Sequence, residues 1–238
     1  MIKPQFYRTS ILLDEDRLEK LSNSHVVIAG VGGVGGQVVE SLSRAGIGKL
    51  TIIDNDIVDI TNINRQIIAT LSTVGKDKVD LFKQRILDIN PECTVNAKKI
   101  FIDKNSIPDL LKEKIDYVVD CIDTISSKVD LIYFCINNKI NIISSMGAGN
   151  RLDTTKIKIS DISKTKYCGL ARLLRTKLKK IGISKGLMVV YSEEVGTKPL
   201  IKKENIRPIN GTISYMPSLF GLHLSGNVIN NLLKNKTE

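Results

Sequence analysis

In Val26-Val-Ile-Ala-Gly-Val-Gly-Gly-Val-Gly-Gly36, a short β-branched run leads into a turn that is dense in glycine. Gly30, Gly32 and Gly35 satisfy the pattern G-x-G-x-x-G, and residues 38–45 then read as a helix. Glycine suits this turn because it adopts positive φ freely, and because a Cβ would keep phosphate away from the N–H groups at the helix N-terminus. The stretch therefore predicts a phosphate-binding turn in a nucleotide-binding βαβ unit. Proteins that bind NAD, FAD or ATP share this fingerprint, and a glycine-rich loop without a ligand is the alternative interpretation.

The composition indicates a protein with one substantial core, since 42% of its 238 residues are hydrophobic. No apolar run approaches the ~20 residues that span a bilayer, and the first residues lack the apolar centre of a signal peptide. The four cysteines lie far apart and none forms C-x-x-C, so the sequence predicts neither a zinc site nor a disulfide framework. We expect a reduced, cytoplasmic protein with no transmembrane segment.

The net charge of +10 is concentrated in one part of the chain. Residues 151–207 contain 15 Lys and Arg against 5 Asp and Glu, whereas basic and acidic residues balance in the remainder. Such a block favours a polyanionic partner, and nucleic acid is the first candidate. A lysine-rich solvated surface is the alternative interpretation.

Apolar strand patterns alternate with helical patterns through the first 150 residues, which predicts an α/β fold with a doubly wound, mostly parallel, Rossmann-like sheet. The predicted strands are 25–29, 49–54, 94–100, 117–121 and 141–145. The predicted helices are 14–21, 38–45, 76–89, 106–114 and 126–138.

The alternation stops after Gly149, and a mixed, basic C-terminal extension follows. Its predicted strands are 156–161 and 187–191, and its predicted helices are 170–181 and 217–233. In the first of these helices we expect the buried side to carry Leu170, Leu173, Leu174, Leu178 and Ile181. Residues 196–210 lack periodicity and are predicted to be a mobile loop. We expect a single domain over 1–238, with an N-terminal helical segment (1–24), a nucleotide-binding core (25–150) and the basic elaboration (151–238).

Two acidic residues lie at the carboxyl ends of predicted parallel strands, where ligands bind, so we expect both to face one crevice. Asp54 ends the second strand, where an acid binds a ribose diol in this fold, and Asp123 lies just past the fourth. Arg65 and Lys78 lie between them in the sequence and can neutralise phosphate oxygens. Asp123 can hold Mg²⁺, which prefers hard oxygen ligands. This set suits attack of a carboxylate on the α-phosphate of ATP better than it suits hydride transfer.

The pattern resembles the ThiF/MoeB/HesA family, whose fold is shared with ubiquitin-activating enzymes. The residues that carry the likeness are Gly30-Val-Gly-Gly-Val-Gly35, Asp54-x-Asp56, Asn62-x-x-Arg65-Gln66, Val74-Gly75 with Lys78, and Asp120-Cys-Ile-Asp123. The resemblance implies ATP binding by the glycines, Gly33 included, together with Asp54 and Asp56. It implies that Asn62, Arg65, Gln66 and Lys78 contact ATP phosphates and that Asp123 binds magnesium.

The resemblance also implies a homodimer. Arg8, in Phe6-x-Arg8, lies where the family supplies an arginine from the partner subunit. Arg8, Arg65, Lys78 and Asp123 are therefore the expected catalytic set.

Further motifs resemble the tRNA-modifying branch of the family. They include Gly147-Ala-Gly149, Leu170-Ala-Arg172 and Gly211-Thr-Ile-Ser-x-x-Pro-Ser-x-Phe-Gly221. The likeness implies ATP-dependent adenylation of the carboxylate of threonylcarbamoyladenosine in tRNA, followed by ring closure with loss of water. The expected polyanion is then tRNA rather than DNA, and the candidate contacts are Arg172, Arg175, Lys179 and Lys180.

Two other functions stay open at this stage. The first is adenylation of a ubiquitin-like sulfur-carrier protein, although the two C-x-x-C pairs usual in such enzymes are absent. The second is a nucleotide-binding scaffold without catalysis. A sulfur-relay partner is possible, and Cys168 could handle a persulfide, although a single cysteine is more often inert.

Overall fold

The computed structural model describes residues 3–196 and 210–234, which form one seven-stranded sheet with helices on both faces. The strands are β1 (His25–Ala29), β2 (Lys49–Ile53), β3 (Thr94–Lys98), β4 (Tyr117–Asp120), β5 (Ile142–Ser145), β6 (Ile157–Asp161) and β7 (Met188–Ser192). The α-helices are α1 (Tyr7–Leu12), α2 (Glu15–Ser22), α3 (Gly35–Arg44), α4 (Lys78–Ile89), α5 (Ile107–Leu110), α6 (Ile125–Asn137), α7 (Gly169–Lys180) and α8 (Tyr215–Leu233).

The strand order is β3-β2-β1-β4-β5-β7-β6, and every neighbouring pair is parallel except β6 with β7. The predicted doubly wound, mostly parallel α/β sheet is confirmed. After β1, the strands β2 and β3 are added on one side of β1, and β4 and the later strands are added on its other side. Ligands of such sheets bind outside the carboxyl ends of the strands at this switch point.

The basic elaboration is part of the same sheet, because β7 pairs with β5 and β6 pairs with β7. This continuity supports a single domain, which stays a prediction. The predicted loop at 196–210 falls mostly on residues 197–209, which lie outside the described residues. No helix of the described ranges is long and apolar enough to cross a membrane.

Two layers of helices cover the sheet. Apolar residues of α3, α4 and α8 pack in one buried cluster, and those of α5, α6 and α7 pack in two clusters that contain other strand residues. The contact between α3 and α8 is close at Gly221, where a Cβ would lie 2.6 Å from the Val34 carbonyl oxygen. Glycine is therefore needed for α8 to reach the start of α3.

Helix α7 differs from the prediction in which face it buries. Ala171, Leu174 and Leu178 are buried, whereas Leu173 and Ile181 are exposed. The predicted burial of Leu173 and Ile181 is wrong, because the apolar stripe centres on the i, i+3, i+7 row that begins at the small residue Ala171. Helix α5 is also shorter than predicted and ends at Leu110.

Candidate active site

A cleft of about 740 Å³ lies at the carboxyl ends of the central strands. The segments that follow β1, β2, β4 and β5 form its walls, together with residues from the loop before α4 and from the start of α7. Every predicted nucleotide-site residue except Gly35 lines this cleft: Gly30, Gly32, Gly33, Asp54, Asp56, Asn62, Arg65, Gln66, Lys78 and Asp123. Gly35 opens α3 directly behind it.

The glycine turn between β1 and α3 is closely packed on its inner side. Gly30 has φ of +85°, and a Cβ there would lie 2.9 Å from the Cys121 carbonyl oxygen. A Cβ on Gly35 would lie 1.8 Å from the Gly30 carbonyl oxygen, so no other residue fits without moving the turn. At Gly32 the nearest atom to such a Cβ is Gln66 Nε2 at 3.7 Å, which leaves the cleft side open. The turn can therefore admit a phosphate group to the start of α3.

Asp54 is fixed at the end of β2 by two backbone donors. Its Oδ2 accepts a hydrogen bond from Val31 N at 2.8 Å, and its Oδ1 accepts one from Asp56 N at 2.9 Å. The first bond ties the carboxylate to the glycine turn itself. A ligand that contacts both the Asp54 carboxylate and the glycine turn would meet groups already held in position. This reduces the entropy that binding costs.

Lys78 carries a buried ammonium group at the first position of α4. Only 4% of Lys78 is exposed, and Nζ donates to Asp56 Oδ2 at 2.9 Å. Asp56 is exposed at the mouth of the cleft, and its carboxylate orients the Lys78 ammonium group and balances its charge. A phosphate oxygen entering the cleft would compete for, or share, that ammonium group.

The loop before α4 supplies the other polar groups of this wall. The Arg65 guanidinium donates to Thr61 O at 2.8 Å, and Asn62 Oδ1 accepts from Asp59 N at 3.2 Å. Gln66 is buried and its Oε1 has no hydrogen-bond partner in the described structure. A buried amide oxygen without a partner costs free energy, which a ligand donor or a water molecule in the cleft would recover.

Asp123 is exposed on the opposite wall, three residues past the end of β4. Within the described ranges it forms no ion pair, and its one hydrogen bond is a long one from Thr124 Oγ1 at 3.5 Å. An ionised carboxylate in this position is free to accept a cation that arrives with a ligand. The described residues contain no group of three or more His, Cys, Asp or Glu side chains placed to hold a metal ion by themselves.

A buried ion pair lies beneath Asp123 and was not predicted. Lys128 Nζ donates to Asp120 Oδ2 at 2.7 Å and to Ser145 O at 3.1 Å, and Ser144 Oγ donates to the same carboxylate oxygen at 2.6 Å. Asp120 and Lys128 are both fully buried. Asp120 opens the Asp-Cys-Ile-Asp motif and Lys128 lies on the next helix, but no spacing in the sequence pairs the two side chains.

Arg8 is not brought to the cleft within its own chain. It lies on α1, it is exposed, and it does not line the cleft. The same helix exposes Tyr7, Ile11 and Leu12, which are large apolar side chains.

The four tRNA candidates on α7 lie outside the cleft, and they differ in exposure. Arg172, Lys179 and Lys180 are exposed. Arg175 is half-buried and donates to Thr165 O at 3.1 Å and to Ile162 O at 3.4 Å. Its guanidinium closes the turn before α7.

Three of the four cysteines have raised thiol pKa values, and the fourth is buried. Cys168 is buried in the apolar cluster of α6 and α7. Burial raises the pKa of the Cys93 thiol to about 11 and that of Cys135 to about 12. Burial also raises the pKa of Cys121, which lines the cleft, and the adjacent Asp120 carboxylate adds to this effect. Thiols with raised pKa values stay protonated near neutral pH and attack slowly.

A glycine turn, an anchored carboxylate, a buried lysine and a free carboxylate thus meet in one cleft. The sequence profile described as the ThiF family matches residues 7–238. The chain belongs to the ThiF family. The resemblance predicted from the motifs is confirmed.

Relatives within the ThiF family match over nearly their whole length. A tRNA threonylcarbamoyladenosine dehydratase of Bacillus subtilis (strain 168) is 43% identical over 97% of this chain and 95% of its own. The Haemophilus influenzae protein of the same name is 38% identical over 95% of this chain and 92% of its own length. Crystal structures of E. coli tRNA N6-threonylcarbamoyladenosine dehydratase, TcdA, were solved in complex with AMP and with ATP. The AMP complex has a TM-score of 0.90 at 33% identity and covers 96% of this chain and 94% of that one, and the ATP complex has a TM-score of 0.89.

Proposed function

We propose that this ThiF-family protein is an ATP-dependent tRNA threonylcarbamoyladenosine dehydratase. The observation that carries the proposal is a single cleft in which a phosphate-binding turn faces a free carboxylate, in a chain that matches such dehydratases from end to end. The proposed reaction adenylates the carboxylate of the threonylcarbamoyl group and then closes a ring. The product is the cyclic nucleoside, and the lost oxygen leaves with AMP.

In this proposal ATP lies along the carboxyl ends of β1 and β2. Asp54, anchored to the glycine turn, accepts the ribose hydroxyls. Gly30, Gly32, Gly33 and Gly35 admit the phosphates to the N-terminus of α3. Asp56 holds Lys78 in place, and Lys78, Arg65, Asn62 and Gln66 line the phosphate side.

The chain's cations fit the charge changes of adenylation. The substrate carboxylate attacks the α-phosphorus, and the bond to the β-phosphate oxygen breaks to release pyrophosphate. Charge grows on the α-phosphate and on the departing group, where Lys78 and Arg65 can stabilise it. A nucleophilic atom of the same threonylcarbamoyl group then attacks the activated carbonyl, and AMP leaves. No protein nucleophile is required, which agrees with the raised pKa values of the cysteines.

The donor set of the cleft also fits Mg²⁺. Asp123 offers one free carboxylate, and Mg²⁺ is commonly held by one or two carboxylates together with substrate phosphates and water. Bound there, the ion would supply charge neutralisation for the phosphates. Asp123 is the residue that we propose holds it.

We further propose a homodimer in which Arg8 acts in the cleft of the partner subunit. Its distance from the cleft of its own chain supports this, as do the exposed apolar residues of α1. The basic face of α7 is the proposed tRNA surface, and a cytoplasmic location follows from a tRNA substrate. A sulfur-relay protein partner is a further expectation from the resemblance.

The test is pyrophosphate exchange with purified protein, Mg²⁺ and ATP. Exchange should depend on tRNA that carries threonylcarbamoyladenosine, and mass spectrometry of digested tRNA should show a nucleoside lighter by one water. Exchange that instead requires a ubiquitin-like carrier protein would assign the alternative adenylating function. No exchange with either would leave a nucleotide-binding scaffold.

A further inference from the structure

One buried guanidinium joins two residues of unusual backbone conformation. Arg151 is only 8% exposed, and its Nη1 and Nη2 donate to the carbonyl oxygens of Asn150 (3.3 Å) and Tyr167 (3.2 Å). Asn150 and Tyr167 both have φ of +57°. Among the described non-glycine residues only Lys139 shares the left-handed region, which costs free energy for a residue with a Cβ. The contacts with Arg151 help to offset that cost.

Both joined segments continue into the wall of the cleft. Gly147–Gly149 line it immediately before Asn150, and Leu170 lines it three residues after Tyr167. The two linings lie side by side, because a Cβ added to Gly147 would come into van der Waals contact with Leu170 Cβ at 3.8 Å. Arg151 therefore fixes the position of Tyr167 relative to the side of the cleft that faces away from the glycine turn.

The left-handed backbone directs Tyr167 outward. Tyr167 is 65% exposed, whereas the next residue, Cys168, is buried in the core. A large aromatic residue held in this way gains little from the fold itself. Strain that the surrounding structure maintains is a reason to look for a function.

The surroundings of Tyr167 are basic. Lys164, Lys166 and Arg172 are all exposed on the two sides of it in the sequence. An aromatic platform among cations is how proteins hold single-stranded nucleic acid, since bases stack on the ring while the cations follow the phosphates. A base in the loop of a tRNA is such a partner.

We propose that Tyr167 stacks on a base adjacent to the modified adenosine in tRNA, and that Arg151 is the positioning residue that holds the Tyr167 backbone beside the cleft. This inference rests on the proposed dehydratase function. It adds a contact outside the reacting nucleotide, so it concerns RNA binding and leaves ATP binding unchanged.

The experiment uses the full chain and an anticodon stem-loop RNA that carries threonylcarbamoyladenosine. Tyr167→Ala should raise the KM for RNA about ten-fold, which lies within the range measured for loss of one base stack, with the KM for ATP unchanged. Tyr167→Phe keeps the ring and should stay within about two-fold of the original. Tyr133→Ala, at an exposed tyrosine on α6 outside the cleft, is the matched control and should change neither constant.

A second set of RNAs identifies the stacked base. In each, one nucleotide beside the modified adenosine is made abasic. On the RNA that lacks the stacked base, Tyr167→Ala should cost nothing further, because the two changes remove the same contact. Arg151→Lys should raise the KM for RNA in the same direction, and it should add little when combined with Tyr167→Ala.

The outcomes separate the inference from the function on which it rests. An unchanged KM for RNA in Tyr167→Ala, or an equal loss on both abasic RNAs, overturns the stacking contact while the dehydratase function stands. If the original protein converts none of these RNAs, the proposed function fails, and the inference fails with it.

Discussion

Asp120 and Lys128 form an ion pair that is entirely removed from solvent. Replacing Lys128 with Met would leave the Asp120 carboxylate buried without its cation. We expect the free energy of unfolding to fall by about 3–5 kcal/mol, measured by urea denaturation. Lys49→Met is the control, since Lys49 pairs with Glu113 at the surface and its loss should change stability little.

The double variant tests the electrostatic explanation of that loss. Asp120→Asn combined with Lys128→Met leaves no unpaired charge at this buried position, so it should be more stable than Lys128→Met alone. If the double variant is less stable than the single one, packing of the lysine stem, and not the unpaired charge, accounts for the cost.

Among the residues that the structure describes, Asp123 differs from Asp120 because it is exposed and forms no ion pair. Asp123→Asn should abolish pyrophosphate exchange, because the proposed magnesium ligand is lost, and should leave the thermal midpoint unchanged or slightly higher. Asp109→Asn, which changes an exposed carboxylate on α5, is the control for both measurements. If Asp123→Asn still catalyses pyrophosphate exchange, Asp123 is not the magnesium ligand.

His25 predicts a pH dependence of stability. Its Nδ1 donates to Lys114 O at 2.9 Å, and its Nε2 forms a hydrogen bond with Thr51 Oγ1 at 2.9 Å. Burial lowers the pKa of His25 below its usual 6.5, and the Lys49 charge adds to this effect. The unfolded chain therefore binds more protons below about pH 6.5, so stability should fall as the pH drops from there through the lowered pKa.

Urea denaturation between pH 5 and 8 measures this dependence in the original chain and in His25→Gln. At pH 8 the variant should be less stable than the original chain, because glutamine replaces the hydrogen bonds of His25 less well. Between pH 6.5 and pH 5, however, the stability of the variant should change less than that of the original chain. Equal slopes in the two proteins would assign the pH dependence to other groups.

At the scale of elements, α7 divides its basic residues between two tasks. Arg175 holds the turn at Thr165, whereas Lys177, Lys179 and Lys180 are exposed and free to meet phosphate. Charge reversal of these three lysines should weaken tRNA binding and reduce its salt dependence by about one slope unit per lost contact. ATP affinity, measured in parallel, should not change, because none of the three lines the cleft.

The same reversal at Lys83, Lys104 and Lys112 is the control for a general change in net charge. If both triple variants bind tRNA equally well, α7 is an ordinary solvated helix.

Arg175→Ala should lower the thermal midpoint of the protein. The buried Thr165 would lose the hydrogen bond that Arg175 Nη1 donates to its carbonyl oxygen.

Most strands and helices could be predicted because their signals are local. Residues 26–29 are all apolar and are followed by Gly30, and β1 (His25–Ala29) contains them. Helix α7 shows where a local signal is insufficient. Its sequence offers more leucines than one stripe can bury, and packing against α6 and β7 selects the row of Ala171, Leu174 and Leu178.

For the cleft, the sequence could predict which residues gather but not how they are held. Motif order placed Asp54, Lys78 and Asp123 together because parallel strands end at one edge. The Asp120–Lys128 pair and the contacts of Arg151 depend on side-chain directions and on two positive φ angles, which no spacing rule contains.

At the scale of the whole molecule, the proposed dimer can be tested by mixing inactive subunits. Arg8→Ala and Asp123→Asn should each abolish exchange alone. Mixed and allowed to exchange subunits, they should recover part of the activity, because one cleft of the hybrid regains both groups. Mass spectrometry of the intact complexes checks that hybrids form, and a fully formed hybrid without activity would rule out action in trans.

The close contact of α8 with α3 at Gly221 has a consequence for biosynthesis. The glycine turn is translated early, yet the Cys121 carbonyl that packs against it and the helix that supports α3 emerge from the ribosome much later. Contacts between such distant segments form slowly, and only after the intervening chain has been ordered. A nascent chain therefore carries the nucleotide fingerprint well before it can bind a nucleotide, and ATP stabilises only the finished fold.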